Sequence, residues 1–156
     1  MPDVSALIDA YARGPELLRD AVSRTPEAGW DATPIAGTWS IRQVVCHLAD
    51  GEIVYADRMK RVLAEDNPTF FDADPDKFVP ALHVLKRPPD AELAVVAAVR
   101  NHVLPILRAC TSKDFDRRGT HSTAGSLTLA ELLERVTTHL PHHITFIEAK
   151  LRALGV

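Results

Sequence analysis

Four stretches of this chain repeat their apolar residues every three to four positions, and that period constrains the fold more than any other feature. In the first, from about Val4 to Ser23, Leu7, Ile8, Tyr11, Leu17, Leu18 and Val22 carry the stripe. Gly14–Pro15 falls inside it and allows a bend or a break there. The second runs from Thr38 to Glu65 through Ile41, Val44, Val45, Leu48, Tyr55, Met59 and Val62, with Thr38 or Ser40 available as its N-cap and Asn67–Pro68 as its stop. The third runs from Pro89 through Leu93, Val96, Val99, Val103, Leu104 and Leu107 to Cys110, with a kink expected at Pro105. The fourth opens at Leu127–Thr128 and carries Leu129, Leu132, Leu133, Val136, Leu140, Ile144, Ile147 and Leu151 to the end. No strand-type alternation competes with these periods.

Amphipathic helices this long bury their stripes against one another, so the expected fold is all-α. The specific expectation is a four-helix bundle of up-down-down-up type, one domain over residues 1–156, with a long crossover between the second and third helices. That crossover, Pro68 to Pro89, holds Pro68, Pro75, Pro80, Pro88 and Pro89 and reads as an ordered but irregular connection with a short helix near Phe78 to Val84. Thr25–Trp30 reads as a loop or a short turn of helix, and Phe115–Ser126 as a loop.

Composition narrows the partners. The 18 basic and 21 acidic residues are interspersed, with no Lys/Arg-rich run, which argues against nucleic acid. No apolar run reaches the roughly 18 residues of a membrane span, and the N-terminus lacks the basic and apolar regions of a secretory signal, so a cytoplasmic protein is expected. Cys46 and Cys110 are too few for a disulfide framework and read as small buried residues.

Chemistry concentrates in His139–Leu140–Pro141–His142–His143. His139 and His143 stand one helical turn apart on one face, a spacing that presents two imidazoles to a transition metal. Their line passes through Leu132 and Val136 and borders the apolar stripe, whereas His142 points about 100° away from His143. Pro141, between them, is expected to tilt the pair toward the interior. His47 holds the same position on the second helix, three after Val44 and one before Leu48, so all three imidazoles could face one end of a bundle. Three neutral nitrogens and an open position would describe a catalytic metal site.

The remaining candidates carry less. Asp50, three after His47 on the same face, could orient His47 or a bound water, or be a plain surface carboxylate. Arg42 and Arg58 could meet an anionic substrate, or line solvated faces. Trp39 reads as an anchor at the helix start, His102 as a surface histidine, and His83 and His121 as surface histidines that could reach a site at the open end of the bundle. A carboxylate-bridged dimetal bundle needs Glu-x-x-His pairs and a zincin needs His-Glu-x-x-His; the chain has neither.

Two of these segments carry a family resemblance. Gly37–Thr38–Trp39–Ser40, running on to His47–Leu48–Ala49–Asp50, resembles the second-helix signature of the DinB-like superfamily, the YfiT or bacillithiol-transferase-like group. His139–Leu140–Pro141–His142–His143–Ile144 is similar to that group's C-terminal His-x-x-His-His motif. The chain departs from the pattern at Pro141 and at Thr145–Phe146, where many relatives carry Gln or His. The resemblance implies a bundle with one divalent transition metal, Zn or Ni, held by His47, His139 and His143. It also implies a homodimer, and a metal-dependent thiol S-transferase or hydrolase acting on a small electrophile, with a low-molecular-weight thiol as the possible co-substrate. The alternative is a non-catalytic metal- or ligand-binding protein of stress response or interaction.

Overall fold

The computed structural model describes residues 3–156. Six α-helices form the body: α1 (Val4–Val22), α2 (Ile41–Ala64), α3 (Pro75–Ala81), α4 (Pro89–Ala109), α5 (Ser112–Phe115) and α6 (Leu129–Ala153). The expectation of a four-helix bundle is therefore corrected to an all-α fold built from six helices. The two extra helices are too short to show a stripe and are encoded by their caps instead. Asp74 accepts from the Asp76 N–H ahead of Pro75 at the first helical position of α3. At α5, Thr111 and Asp114 form a capping box. The short helix expected at Phe78 to Val84 lies earlier, with a 3-10 turn at Val84–Lys86 behind it.

The Phe115–Ser126 loop is likewise corrected. Strands β2 (Arg118–His121) and β3 (Gly125–Thr128) pair antiparallel, with Thr120 opposite Ser126, and β1 (Thr69–Phe70) adds in parallel to β2. Strands of two to four residues are too short for alternation to register in a sequence.

The long helices start and stop where their end residues dictate. Ser40 is the N-cap of α2: its Oγ accepts from the Gln43 N–H at 3.3 Å while Gln43 Oε1 accepts from the Ser40 N–H at 2.7 Å. Thr128 and Glu131 do the same for α6. Helix α1 packs against α4 and α6, and α2 packs against the same two helices, so the four long helices enclose a core. That core has two apolar parts. One gathers Tyr11, Met59, Leu107, Leu132 and Val136; the other gathers Leu18, Ile41, Leu48, Val96, Leu140 and Ile147.

Between them in register lies a buried polar layer. Arg100 of α4 and Glu52 of α2 form an ion pair with side chains only 1% exposed. Both stand on the apolar line of their helices, Arg100 four after Val96 and Glu52 four after Leu48. Arg100 Nη1 also donates to the Tyr11 carbonyl at 2.8 Å. That carbonyl needs a donor, because Pro15 four residues later has no N–H to give it. Helix α1 thus runs unbroken through Gly14–Pro15. Gly14 is required here: a Cβ would stand 1.9 Å from Arg100 Nη1. Arg100 Nη2 reaches the Val136 carbonyl at 3.2 Å, and the Tyr11 hydroxyl donates to Glu52 Oε2 at 3.4 Å. One guanidinium therefore ties α1, α2, α4 and α6 together.

Candidate metal centre

His47 is presented by the second turn of α2, and His139 and His143 by successive turns of α6. The stripe residues around them, Val44 and Leu48 on α2 and Val136, Leu140 and Ile147 on α6, are buried and set how closely the two helices approach. Gly51 refines that approach. It lies one turn beyond His47, and a Cβ there would stand 3.3 Å from Cε1 of His139. Glycine inside a helix costs roughly 1 kcal/mol against alanine, and here it gives the His139 ring its place. Pro141 does not interrupt α6, which continues to Ala153 with the His139/His143 pair intact.

The three imidazoles converge. Ring centroids are 4.8 Å apart for His47 and His139, 4.8 Å for His47 and His143, and 4.7 Å for His139 and His143, with the planes steeply inclined. One nitrogen from each ring lies within 4.8 Å of the others, and Nε2 of His47 and Nε2 of His139 are 2.9 Å apart. Tetrahedral Zn–N bonds of about 2.05 Å would separate two ligand nitrogens by about 3.3 Å, the same scale.

Their electrostatics suit the same use. Burial, reinforced by the neighbouring histidines, lowers the pKa of His139 to about 3. Burial first, then His47, His142 and Lys150, lower that of His143 to about 4. Burial also lowers His47, with the Asp50 carboxylate opposing it. All three rings are therefore neutral at pH 7, the form that offers a lone pair to a metal. The Nδ1 of His143 is buried with no hydrogen-bond partner, a state that costs free energy unless something accepts that lone pair. Orphaned nitrogen, neutral rings and spacing together fit a divalent cation.

The other candidates are placed differently. His142 is exposed and stacks edge-on against Phe146 and His143. Asp50 lies beside His47, but both its oxygens accept from Arg87, at 2.8 and 2.9 Å. Arg87 also bonds Glu92, and its own carbonyl accepts from Arg42 at 2.8 Å. Arg42 in turn pairs with Asp31. This chain of ion pairs fastens the end of the crossover to α2 next to the histidines. The Trp39 ring centroid lies 5.2 Å from that of His47 in an edge-on arrangement, and the side chain also packs on the core. His121 is buried, its Nδ1 accepting from the Thr123 and Ala124 N–H groups, rather than standing on the surface. Sequence reasoning missed Gly51, Arg87 and Arg100. An unexplained helical glycine one turn from His47 was a usable signal for the first, and a charge on an apolar line for the last. Arg87 lies in irregular chain and had none.

The histidines open onto a cavity of about 430 Å³, within the size range of small-molecule sites, whose walls include Trp39, Tyr55, Arg58 and Phe78. Among the described residues, no helix is long and apolar enough to cross a membrane.

A fold of helices wrapped around a three-histidine cluster defines a bundle with a candidate metal centre. The family model of the DinB superfamily matches residues 10–147, and the chain belongs to that superfamily. The solved structure of YfiT from Bacillus subtilis superposes with a TM-score of 0.91 at 27% identity, covering 97% of this chain and 87% of that one. That protein is described, by way of proposal, as a metal-dependent hydrolase with an unusual four-helix bundle topology. In sequence, YfiT of Bacillus subtilis strain 168 is 29% identical over 142 residues, 90% of this chain and 80% of its own. A relative from Bacillus licheniformis is 28% identical over 144 residues, 92% of this chain and 82% of its own. Both bear names that propose a metal-dependent hydrolase. A structure from Exiguobacterium sibiricum, with a TM-score of 0.67 at 22% identity over 99% of this chain and 94% of its own, shares the fold.

Proposed function

We propose that His47, His139 and His143 hold one divalent transition metal, Zn²⁺ or Ni²⁺, and that the protein is a metal-dependent hydrolase or thiol S-transferase acting on a small electrophilic molecule. The observation that carries this reading is the meeting of three neutral imidazoles at the wall of a cavity large enough for such a molecule. A bound divalent ion would supply Lewis acidity, lowering the pKa of a water or thiol toward neutrality.

The chain's own residues do the rest. Glycine at position 51 and the packed stripes of α2 and α6 hold the three rings in place. Burial keeps them deprotonated at working pH, so no proton has to be displaced before they ligate. Asp50, held by Arg87, places a carboxylate beside His47 that offsets part of the burial cost at that ring. Trp39 and Phe78 line the cavity with aromatic surface that excludes water from around a bound substrate. The reading extends to a single domain over residues 1–156, a homodimer and a cytoplasmic setting, with a low-molecular-weight thiol as co-substrate in the transferase version. The two free cysteines accord with a reducing compartment.

Metal analysis of protein purified from metal-replete cells tests the first step: about one ion per chain is expected, lost in the His139→Ala/His143→Ala double variant. Turnover of thiol, ester and amide substrates that disappears in His47→Ala tests the second. Wild-type protein with no metal would overturn the reading, and bound metal without turnover would leave a binding protein.

A further inference from the structure

Arg58 is a buried cation without a counter-ion. Its residue is 6% exposed, yet among the described residues no carboxylate comes within ion-pair distance. Arg100, the other buried arginine, pairs with Glu52; of the half-buried ones, Arg87 pairs with Asp50 and Glu92 and Arg42 with Asp31, while Arg117 donates to the Val62 and Glu65 carbonyls. The Arg58 guanidinium lies 5.3 Å from the Tyr55 ring centroid and 5.8 Å from that of Phe70. Nη2 donates to the Phe71 carbonyl, which leaves the rest of the fork without a protein acceptor among the described residues. Burial lowers its pKa, with Tyr55 and the Asp72 carboxylate opposing it, and none of its unbonded nitrogens is sealed from solvent.

Among the described residues, Arg58 is also the only Lys or Arg in the wall of the cavity that holds the three histidines. His47, Gly51, Val54 and Arg58 follow one another at steps of four, three and four along a single line of α2, and all four border that cavity. Eleven residues of helix put the ends of this line about 16 Å apart at Cα. The cavity thus has a cluster of neutral imidazoles at one end and a planar cation without a salt-bridge partner toward the other, with a wall that includes Val54, Tyr55 and Phe78, Asp50 in its ion pair with Arg87, and Asp72. A guanidinium fork matches a carboxylate in bidentate geometry.

We propose that Arg58 anchors a carboxylate of the substrate, so that the natural substrate is a small anionic molecule with its reactive group at the histidines and its carboxylate toward the Arg58 end of the cavity. This rests on the reading of the three histidines as the reactive centre. Arg58 is then a specificity-determining residue, and neutral molecules of equal length are poor ligands.

The test uses full-length protein loaded with Co²⁺ and matched probes: 6-mercaptohexanoate, 8-mercaptooctanoate and 11-mercaptoundecanoate against the corresponding mercapto-alcohols. Thiolate binding is followed by the sulfur-to-cobalt absorption band. The best acid binds about tenfold or more tightly than its alcohol, the scale of one charge-assisted bidentate contact. Arg58→Gln reduces that ratio to near one, and Arg58→Lys keeps part of it. A ratio near one in unmutated protein, which needs no variant to fold, overturns the anchor, as does a ratio that survives Arg58→Gln in a folded variant. Failure of the protein to take up cobalt, or the absence of any thiolate band, counts against the histidine reading instead. In that case titration calorimetry of octanoate against octanol, in wild type and Arg58→Gln, decides the carboxylate preference separately.

Discussion

Glu52 and His47 stand five residues apart on the same helix, and the polar clusters built on them are opposites. Around Glu52 lies a sealed layer in which Arg100 donates to a carboxylate and to two backbone carbonyls, on side chains 1% exposed. Around His47 three imidazoles meet with one ring nitrogen orphaned, and they face a cavity. Both clusters are desolvated, but only the first is complete. A buried polar group with every partner supplied by the chain holds the fold, and one left short beside open space is suited to a ligand. Arg58 follows the second pattern, and Arg87 the first.

The contrast can be broken first where its effect is largest. Removing Arg100 leaves Glu52 buried and unpaired, and the Tyr11 carbonyl without the donor that replaces the missing Pro15 N–H. Arg100→Ala should cost about 3–5 kcal/mol in urea unfolding. Glu52→Leu combined with Arg100→Leu should cost less than the sum of the single changes, because neither charge is then stranded. Additive losses would show that the layer does not act as a unit.

An intermediate effect follows from protons. Burial depresses the pKa values of His47, His139 and His143 in the folded chain, to about 4 for His143 and about 3 for His139. In the unfolded chain they return to about 6.5, so below that pH the unfolded state binds more protons. Their contribution to stability is complete above about pH 6.5 and is lost as the pH falls toward those lower values. Thermal melts of metal-free protein should show a falling midpoint across that window. The slope should be shallower in the His139→Ala/His143→Ala variant, and an unchanged slope would contradict the assignment.

The smallest effect is expected at the histidines themselves. In metal-free protein, His143→Ala should change stability by about 1 kcal/mol or less, because it removes a buried nitrogen that has no partner. A loss as large as that of Arg100→Ala would mean that His143 belongs to the sealed class.

The long helices were legible because each carries a stripe that persists for five turns or more, and Ser40 and Thr128–Glu131 mark starts in plain view. Helices α3 and α5 and strands β1 to β3 were not, since elements of two to seven residues are specified by caps and pairing partners rather than by periodicity. Pro15 allows a bend or a break by sequence, and which of the outcomes holds depends on a distant residue: Arg100 serves the Tyr11 carbonyl and the helix continues. Spacing alone put His47, His139 and His143 on inward faces, because one helical turn is a local quantity. It could not show that Asp50 is taken up by Arg87, which approaches from 37 residues away. Nor could it separate Arg58 from the solvated arginines, since its isolation depends on β1 and the chain that follows it.

Whether the incomplete cluster takes a cation is the central question. X-ray absorption at the zinc edge of zinc-loaded protein counts imidazole ligands directly. About one ion per chain with three imidazoles and one or two further oxygen donors is the expected result, falling to two imidazoles in His47→Ala. Zinc bound with no imidazole in its first coordination sphere, or no stoichiometric zinc at all, would contradict the reading of these three histidines as a metal centre.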